Sequence, residues 1–180
     1  TVTPVTNGEV TVKVNAGAVG GGLTARFSYP GSVSLDPTNT YLYIGDSGNS
    51  RVRKLNTITG SVTTISSLSY SPGMTTDSTN TYIYALSGSN TVDRLTIATG
   101  AITTIAGNST TSGYVDNVVG TNARFNQPSG ITIDPTNTYL YITDTGNNKI
   151  RRLTIATTAV TTIAGDASAS AASGLSLIHI

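Results

Sequence analysis

The sequence predicts an all-β protein built from repeated, four-stranded antiparallel units. Only 11% of its 180 residues are charged, and Thr, Ser, Gly and Asn take their place, which suits strands and turns better than long helices. The tetrapeptide Thr-Asn-Thr-Tyr occurs three times, and each copy lies among four short apolar runs separated by turn residues. A period near 40 residues with four strands per copy is typical of a β-propeller.

The repeat has three full copies, at Arg26–Ser66, Leu68–Gly107 and Arg124–Gly165. The asparagines of the shared tetrapeptide, Asn39, Asn80 and Asn137, lie 41 and 57 residues apart. The longer second interval indicates a long connector before the third copy.

The third copy shows the four strands most clearly, and we predict them at 131–134, 139–143, 150–155 and 159–163. Pro135 ends the first strand because proline cannot continue a strand ladder. The residues at 145–148 form a hairpin turn. The second strand is apolar on both faces, so we expect it to be sandwiched between neighbouring blades.

The repeat also predicts the domain organisation. Asn7 and Gly8 indicate a turn, and Val10, Val12 and Val14 alternate as in a strand. The expected units are 1–17 as the C-terminal half of a preceding blade, 18–66 as a connector and the first blade, 67–107 as the second blade, 108–165 as a connector and the third blade, and 166–174 as the start of another connector. Three and a half blades form an open arc rather than a closed ring, so we expect a fragment of a longer protein.

The last six residues, 175–180, match no strand position of the repeat and contain His179, the one histidine. Read backwards into codons, Leu-Ser-Leu-Ile-His-Ile resembles the translated end of a transposase adapter used in DNA library preparation. We therefore interpret these residues as a sequencing artefact and exclude them from the fold. The alternative is a short natural strand.

Several motifs of the third copy resemble the NHL-repeat family. They are Ala-Arg-Phe at 123–125, Pro-x-Gly-Ile at 128–131, the run from Tyr141 to Arg151, and the closing Thr-Thr-Ile-Ala-Gly at 161–165. The resemblance covers about residues 8–165 and implies a ring of about six blades. It does not select a function, because that family includes scaffolds, RNA-binding modules, sensor domains and a few lyases.

The resemblance also implies a binding face, made by the loops from strand two to strand three and from strand four to the next blade. Carried over to this chain, the face consists of the 108–127 connector together with Asp46, Asn49, Arg51, Ser89, Asn90, Asn147 and Lys149.

Two polar positions change together among the copies. The first and third copies have an aspartate at the end of strand two (Asp46, Asp144) and an arginine in strand three (Arg53, Arg151), and the second copy has lost both. Arg151 has the parity of Leu153 and so points into the layer between blades, where a charge is costly unless it is paired. We therefore predict structural pairs Asp46–Arg53 and Asp144–Arg151, with a ligand site as the alternative.

The sequence offers little catalytic chemistry. It has no cysteine, and its one histidine lies in the excluded tail, so Ser-His-Asp, Cys-His and typical zinc sites are not expected. The Asp-x-Gly-Asn motifs at 46 and 144 lack the further carboxylates of a calcium loop. We predict a non-enzyme without metal or cofactor. The alternative is part of a sensor or lyase-like enzyme whose catalytic blades lie elsewhere.

Charge and surface motifs limit the partners. The net charge is +1 and the basic residues are dispersed, which argues against nucleic acid, including the RNA binding of some NHL proteins. No apolar run approaches the roughly 20 residues of a membrane span. Asn108 begins an N-glycosylation sequon, with a plain polar loop as the alternative. The repeated tyrosines (41, 43, 82, 84, 139 and 141) favour packing between blades.

The leading hypothesis is an extracellular or cell-surface binding or structural module with protein or glycan partners. One form of it is self-assembly, in which the N-terminal half blade completes another subunit and builds filaments.

Overall fold

The computed structural model describes residues 24–69, 71–88 and 90–165. They form three four-stranded antiparallel sheets in an open arc, which confirms the predicted all-β propeller fold. The expected N-terminal half blade, the connector at 166–174, the tail at 175–180 and Ser89 lie outside these residues.

Each sheet is one blade, and its strands are hydrogen-bonded in chain order. Blade 1 contains β1 (Pro30–Leu35), β2 (Tyr41–Asp46), β3 (Arg51–Asn56) and β4 (Val62–Ser66). Blade 2 contains β5 (Met74–Thr76), β6 (Tyr82–Ser87), β7 (Thr91–Thr96) and β8 (Ile102–Gly107). Blade 3 contains β9 (Pro128–Ile133), β10 (Tyr139–Asp144), β11 (Lys149–Thr154) and β12 (Val160–Ala164). Short 3-10 turns span Ser47–Asn49, Gly120–Asn122 and Thr145–Asn147.

A carboxylate closes the turn between the first two strands of every blade. Asp77 is buried, and its Oδ1 accepts hydrogen bonds from the backbone N–H groups of Thr81 (2.8 Å) and Tyr82 (2.9 Å). Asp36 and Asp134 hold the corresponding turns in the same way. The repeated asparagine of each turn has a positive φ, which asparagine tolerates better than most residues. The repeat motif therefore encodes this turn directly.

The core lies between the blades. The alternating side chains of β6 separate into two clusters: Ile83 and Ala85 pack with Tyr43 of blade 1, whereas Tyr84 and Leu86 pack with residues of blade 3. Blade 2 is thus apolar on both faces because it has a neighbour on each side.

The face of blade 1 that points away from blade 2 has no neighbouring blade among the residues that the structure describes. Val33 and Leu35 in β1 are 60% and 46% exposed, whereas Met74, which occupies the position of Val33 in blade 2, is 6% exposed. An apolar strand face of this kind is normally covered. The described residues therefore end on a sheet face that is suited to another blade.

The connector between blades 2 and 3 is ordered by close backbone packing. A Cβ added to Gly120 would lie 2.1 Å from the carbonyl oxygen of Ile105 and 2.6 Å from that of Thr158, so only glycine fits there. Further along, Asn117 pairs with Val160 in an antiparallel bridge. The connector thereby covers the outer strand of blade 3 and satisfies part of its edge.

Candidate functional site on the loop face

The hairpin between β2 and β3 is held from inside by Asp46, which is fully buried. Its carboxylate accepts hydrogen bonds from the backbone N–H of Ser28 (2.8 Å), the side-chain amide of Asn49 (2.8 Å) and Arg53 Nη1 (3.2 Å). Asn49 was predicted to bind a ligand, but its amide group serves the hairpin. Arg51 lies beside it and is exposed.

The hairpin between β10 and β11 repeats this arrangement with shorter contacts. Asp144 accepts hydrogen bonds from the backbone N–H of Asn126 (2.7 Å), the side-chain amide of Asn147 (2.8 Å) and Arg151 Nη1 (2.7 Å). Asn147 also donates to the carbonyl of Gly113 at 2.7 Å. The structure therefore brings Asp46 to Arg53 and Asp144 to Arg151, as in the pairs expected from the repeat.

Arg151 has a second role that the repeat did not indicate. Its Nη2 donates to the carbonyl of Val115 (2.9 Å) and to Asp116 Oδ1 (2.8 Å), and its Nη1 donates to the carbonyl of Arg124 (2.9 Å). The guanidinium therefore binds the connector to blade 3. Asp116 is the one acidic residue of the connector sequence, which is the signal that could have identified it.

The remaining predicted residues also have defined places. Lys149 is buried, its Nζ lies 3.3 Å from the carbonyl of Gly165, and it stacks over the ring of Tyr114. Asn90 accepts a hydrogen bond from the backbone N–H of Gln127 at 2.8 Å and so bridges blades 2 and 3. Asn108 accepts hydrogen bonds from the backbone N–H groups of Thr110 and Thr111, which form a tight turn at the sequon.

Blade 2 departs from its neighbours at the paired positions. Ser87 takes the place of Asp46: it lies opposite Thr91, as Asp46 lies opposite Arg51 in blade 1. Asp93 takes the place of the arginine in strand three. Burial raises the pKa of Asp93, while hydrogen bonds from Thr104 and Thr91 lower it only in part. The second copy has therefore exchanged an ion pair for a carboxylate among hydroxyl groups.

A cleft with a volume of about 400 Å³ opens on the loop face between blades 2 and 3, and its largely apolar surface carries several hydroxyl and amide groups. It is lined by Pro72, Ser87, Gly88, Asn90, Gln127, Pro128, Ser129 and Thr145. Asn90 and Gln127, the latter in the 108–127 connector, belong to the predicted binding face, whereas the sequence does not mark the other lining residues. Hydroxyl and amide groups of this kind can donate to and accept from a carbonyl or a sugar hydroxyl.

The cleft lies at the inner side of the arc. A Cβ added to Gly73 at the start of β5 would lie 3.1 Å from the carbonyl oxygen of Ser129 in β9, and Ser34 in β1 bonds Thr76 in β5 at 2.8 Å. The first strands of successive blades are thus in contact. A ligand in the cleft would face the axis around which the blades turn.

Two further properties hold for the part of the chain that the structure describes. It contains no group of three or more His, Cys, Asp or Glu side chains close enough to hold a metal ion. It also has no helix with the length and apolar character to cross a membrane.

Solved structures with the same fold support the architecture. An auxiliary nutrient-binding protein from Bacteroides ovatus superposes with a TM-score of 0.65 at 19% identity, over 78% of this chain and 37% of its own. A structural-genomics protein of unknown function from Bacteroides thetaiotaomicron superposes with a TM-score of 0.66 at 29% identity, over 76% and 36%. A gluconolactonase from Xanthomonas campestris gives 0.61 at 13% identity, over 77% and 48%.

The chain thus spans about a third to a half of the length of these structures. Matches at 19% and 13% identity show the shared fold alone. No curated protein matches the chain in sequence.

A family model provides the assignment that the repeat motifs did not. Residues 18–172 match the model of the seven-bladed lactonase β-propeller. The propeller fold that the NHL resemblance implied is confirmed, but the NHL family itself is not. The matched family has seven blades rather than the expected number of about six. The prediction of a non-enzyme is wrong at the family level, because the matching family model is that of a lactonase. This chain belongs to the lactonase family of seven-bladed β-propellers.

Proposed function

We propose that the three described blades belong to a lactone-hydrolysing propeller, and that the cleft between blades 2 and 3 forms one wall of its substrate site. The observation that carries the proposal is the cleft itself, an uncharged recess of about 400 Å³ at the inner side of the loop face, with hydroxyl and amide groups on a largely apolar surface. The family match over residues 18–172 supports this reaction class.

The lining of the cleft suits a lactone. Hydrolysis adds water across the ring ester, breaks the bond between the acyl carbon and the ring oxygen, and yields a hydroxy acid. The carbonyl oxygen gains negative charge on the way, and fixed donors stabilise that charge. Ser129 and Thr145 share a hydrogen bond, which leaves at most one of their two hydroxyl protons to donate to the substrate, and Asn90 and Gln127 supply amide groups.

The water must also be activated by a base or a metal ion. We assign that group to the blades that complete the ring, and we assign binding and orientation of the substrate to this chain. The carbonyl group and hydroxyl substituents of a sugar lactone would match the cleft lining best.

The partners and location expected from the sequence stay predictions. The hydroxyl and amide groups that line the cleft support a glycan-like partner, and the exposed face of β1 supports a further blade as its neighbour. Extracellular location, glycosylation at Asn108 and self-assembly are predictions that rest on the sequence alone.

The test uses the full-length protein that contains these blades. Hydrolysis of a sugar δ-lactone, an aliphatic γ-lactone and an N-acyl homoserine lactone is followed by acid release in a pH-stat. We expect turnover of at least the sugar lactone. Asn90→Ala and Ser129→Ala are expected to raise KM more than they lower kcat, because they remove binding contacts.

The matched control is Thr157→Ala, an exposed hydroxyl on a β11–β12 turn remote from the cleft, and it is expected to leave both constants unchanged. Absence of hydrolysis of all three lactones would reject the hydrolase. Turnover that is insensitive to Asn90→Ala and Ser129→Ala would place the substrate elsewhere.

A further inference from the structure

Asp93 stands where the other two blades have an arginine. It lies opposite Ala85 and Thr104, as Arg53 lies opposite Ile44 and Thr64 and as Arg151 lies opposite Ile142 and Thr162. The local backbone irregularity next to this position is also the same in all three blades. The backbone geometry is therefore retained while the charge at the position is reversed.

Asp93 is only 6% exposed, and in the described part of the chain its carboxylate has hydroxyl partners and no basic one. Oδ1 accepts a hydrogen bond from Thr104 Oγ1 at 2.7 Å, and Oδ2 accepts a longer one from Thr91 Oγ1 at 3.4 Å. Thr91 in turn shares a hydrogen bond of 2.7 Å with Ser87. Hydroxyl groups satisfy the oxygens but leave the negative charge uncompensated.

The carboxylate faces a second, open cavity of about 430 Å³, which lies beside the cleft of the proposed lactone site and shares Ser87 with it. Its lining is mostly polar and consists of Ser87, Thr91, Asp93, Thr104, Gly107, Asn108, Ser109 and Thr121. This volume lies within the range of small-molecule sites.

The difference between the connectors explains why this cavity exists. In blade 3 the long connector crosses the equivalent position and places the carbonyls of Val115 and Arg124 and the carboxylate of Asp116 around Arg151. The linker that precedes blade 2 is short (67–73), and the chain has no second connector of that length there. Blade 2 consequently keeps the space that the arginine side chain and its cover fill in blade 3.

We propose that Asp93, with the hydroxyl groups of Thr91 and Thr104, binds a cationic nitrogen group, either a guanidinium or a primary ammonium, carried by a small ligand or a peptide side chain. The guest would supply the cation that the neighbouring blades supply from their own sequence. A guanidinium donates several N–H groups in a plane and suits a carboxylate flanked by acceptors. Calcium is disfavoured because it takes six to eight oxygens and usually several carboxylates.

The direct test titrates the full 180-residue chain with three small probes at constant ionic strength: ethylguanidinium, ethylammonium and the neutral ethylurea. Binding is followed by NMR shifts of the Thr91 and Thr104 amide and methyl groups. We expect saturable shifts with one or both cations and none with ethylurea. The tighter cation identifies the group that the site prefers. Equal shifts with ethylurea, or no saturation with either cation, would overturn the proposal.

Variants separate this site from a general attraction of cations to the loop face. Asp93→Asn keeps the side-chain shape and is expected to weaken cation binding at least tenfold. Asp116→Asn removes the same charge from the loop face outside the cavity and is expected to change the affinity less than twofold. Thr121→Leu narrows the cavity at its rim without changing the carboxylate, and it is expected to weaken the binding of both cations. An unchanged affinity of Asp93→Asn for the cations would exclude the site. If Asp93→Asn does not fold, an unchanged affinity of Thr121→Leu would exclude it instead.

Discussion

Arg151 and Asp144 form a fully buried ion pair, with Nη1 and Oδ2 2.7 Å apart. The same guanidinium reaches three points of the connector, so one side chain joins a hairpin, a connector and the layer between two blades. Arg53 and Asp46 form the weaker counterpart, at 3.2 Å and with 12% of the arginine side chain exposed. The two pairs provide a matched comparison within one molecule.

Replacement of Arg151 by Met is expected to lower the free energy of unfolding by about 3–5 kcal/mol, because it leaves a buried carboxylate without its partner. Arg53→Met is expected to cost clearly less, since its pair is longer and partly exposed, and the described residues place no connector group on its guanidinium. Urea denaturation of the full chain measures both. A larger loss in Arg53→Met would contradict the role assigned to the connector contacts.

Asp116 is 45% exposed on its side chain, so its ion pair with Arg151 is screened by solvent. Asp116→Asn is therefore expected to change the free energy of unfolding by no more than about 1 kcal/mol. Its effect is expected to be local, as faster amide hydrogen exchange at Thr162, whose N–H donates to Asp116 at 2.9 Å. Amides of the distant β2–β3 hairpin serve as the control and are expected to keep their rates.

Gly107 closes the last strand of blade 2 with φ +85°, and a Cβ there would lie 2.2 Å from the carbonyl oxygen of Asn90. Gly107→Ala is expected to destabilise the protein by about 1–3 kcal/mol, because the left-handed backbone and the close approach both oppose a side chain. Gly130→Ala is the comparison, because its nearest neighbour is the hydroxyl of Thr143, a side-chain atom that can move. Thermal unfolding of the two variants is expected to rank Gly107→Ala as the less stable.

Asp93 gives a pH dependence of known sign. Burial raises its pKa in the folded state, so the folded protein binds more protons than the unfolded chain between the two pKa values, and stability falls as pH rises through that window. Asp93→Asn removes this loss. We expect the variant to be more stable than the natural chain near pH 7 and the difference to shrink below about pH 4.

The stability of the variant is compared with that of the natural chain because other carboxylates also titrate. The folded pKa values of Asp36 and Asp134 are lowered, so their contribution to the stability of the protein is lost as pH falls. That effect is common to both proteins and cancels in the difference. A difference that stays constant from pH 4 to pH 7 would show that the carboxylate of Asp93 is not desolvated.

The double change Ser87→Asp with Asp93→Arg rebuilds the residue pattern of blades 1 and 3 in blade 2. We expect this variant to fold and to lose binding of ethylguanidinium and ethylammonium, because its own guanidinium would occupy the cavity beside the new carboxylate. Asp93→Arg alone is expected to be less stable than the double variant, since the arginine would then have no carboxylate partner. Equal stability of the single and double variants would contradict pairing in blade 2.

Periodicity made the blades predictable from the sequence. Strand two of blade 2 contains the consecutive apolar residues Ile83, Tyr84, Ala85 and Leu86, and a strand that is apolar on both faces requires a sheet on each side. The joint loss of the aspartate and the arginine in the second copy predicted the contacts Asp46–Arg53 and Asp144–Arg151 in the other two, because residues that neutralise one another's charge change together.

Other features could not be predicted in this way. Ser129 and Thr145 are not marked by the sequence, and only the packing of blade 3 against the β6–β7 hairpin brings them into one cleft with Asn90. The family assignment likewise came from a family model matched over residues 18–172 and from no single motif.

The sequence by itself determined the strands, the turns and the repeating order of the blades, because hydrophobic alternation and turn residues act over a few positions. Only the tertiary structure decided that Arg151 binds the connector, that Asp93 faces a cavity, and that Ser129 meets Asn90 across a cleft. These relationships depend on the distance between segments far apart in the chain, and that distance is set by how the blades pack and how long each connector is.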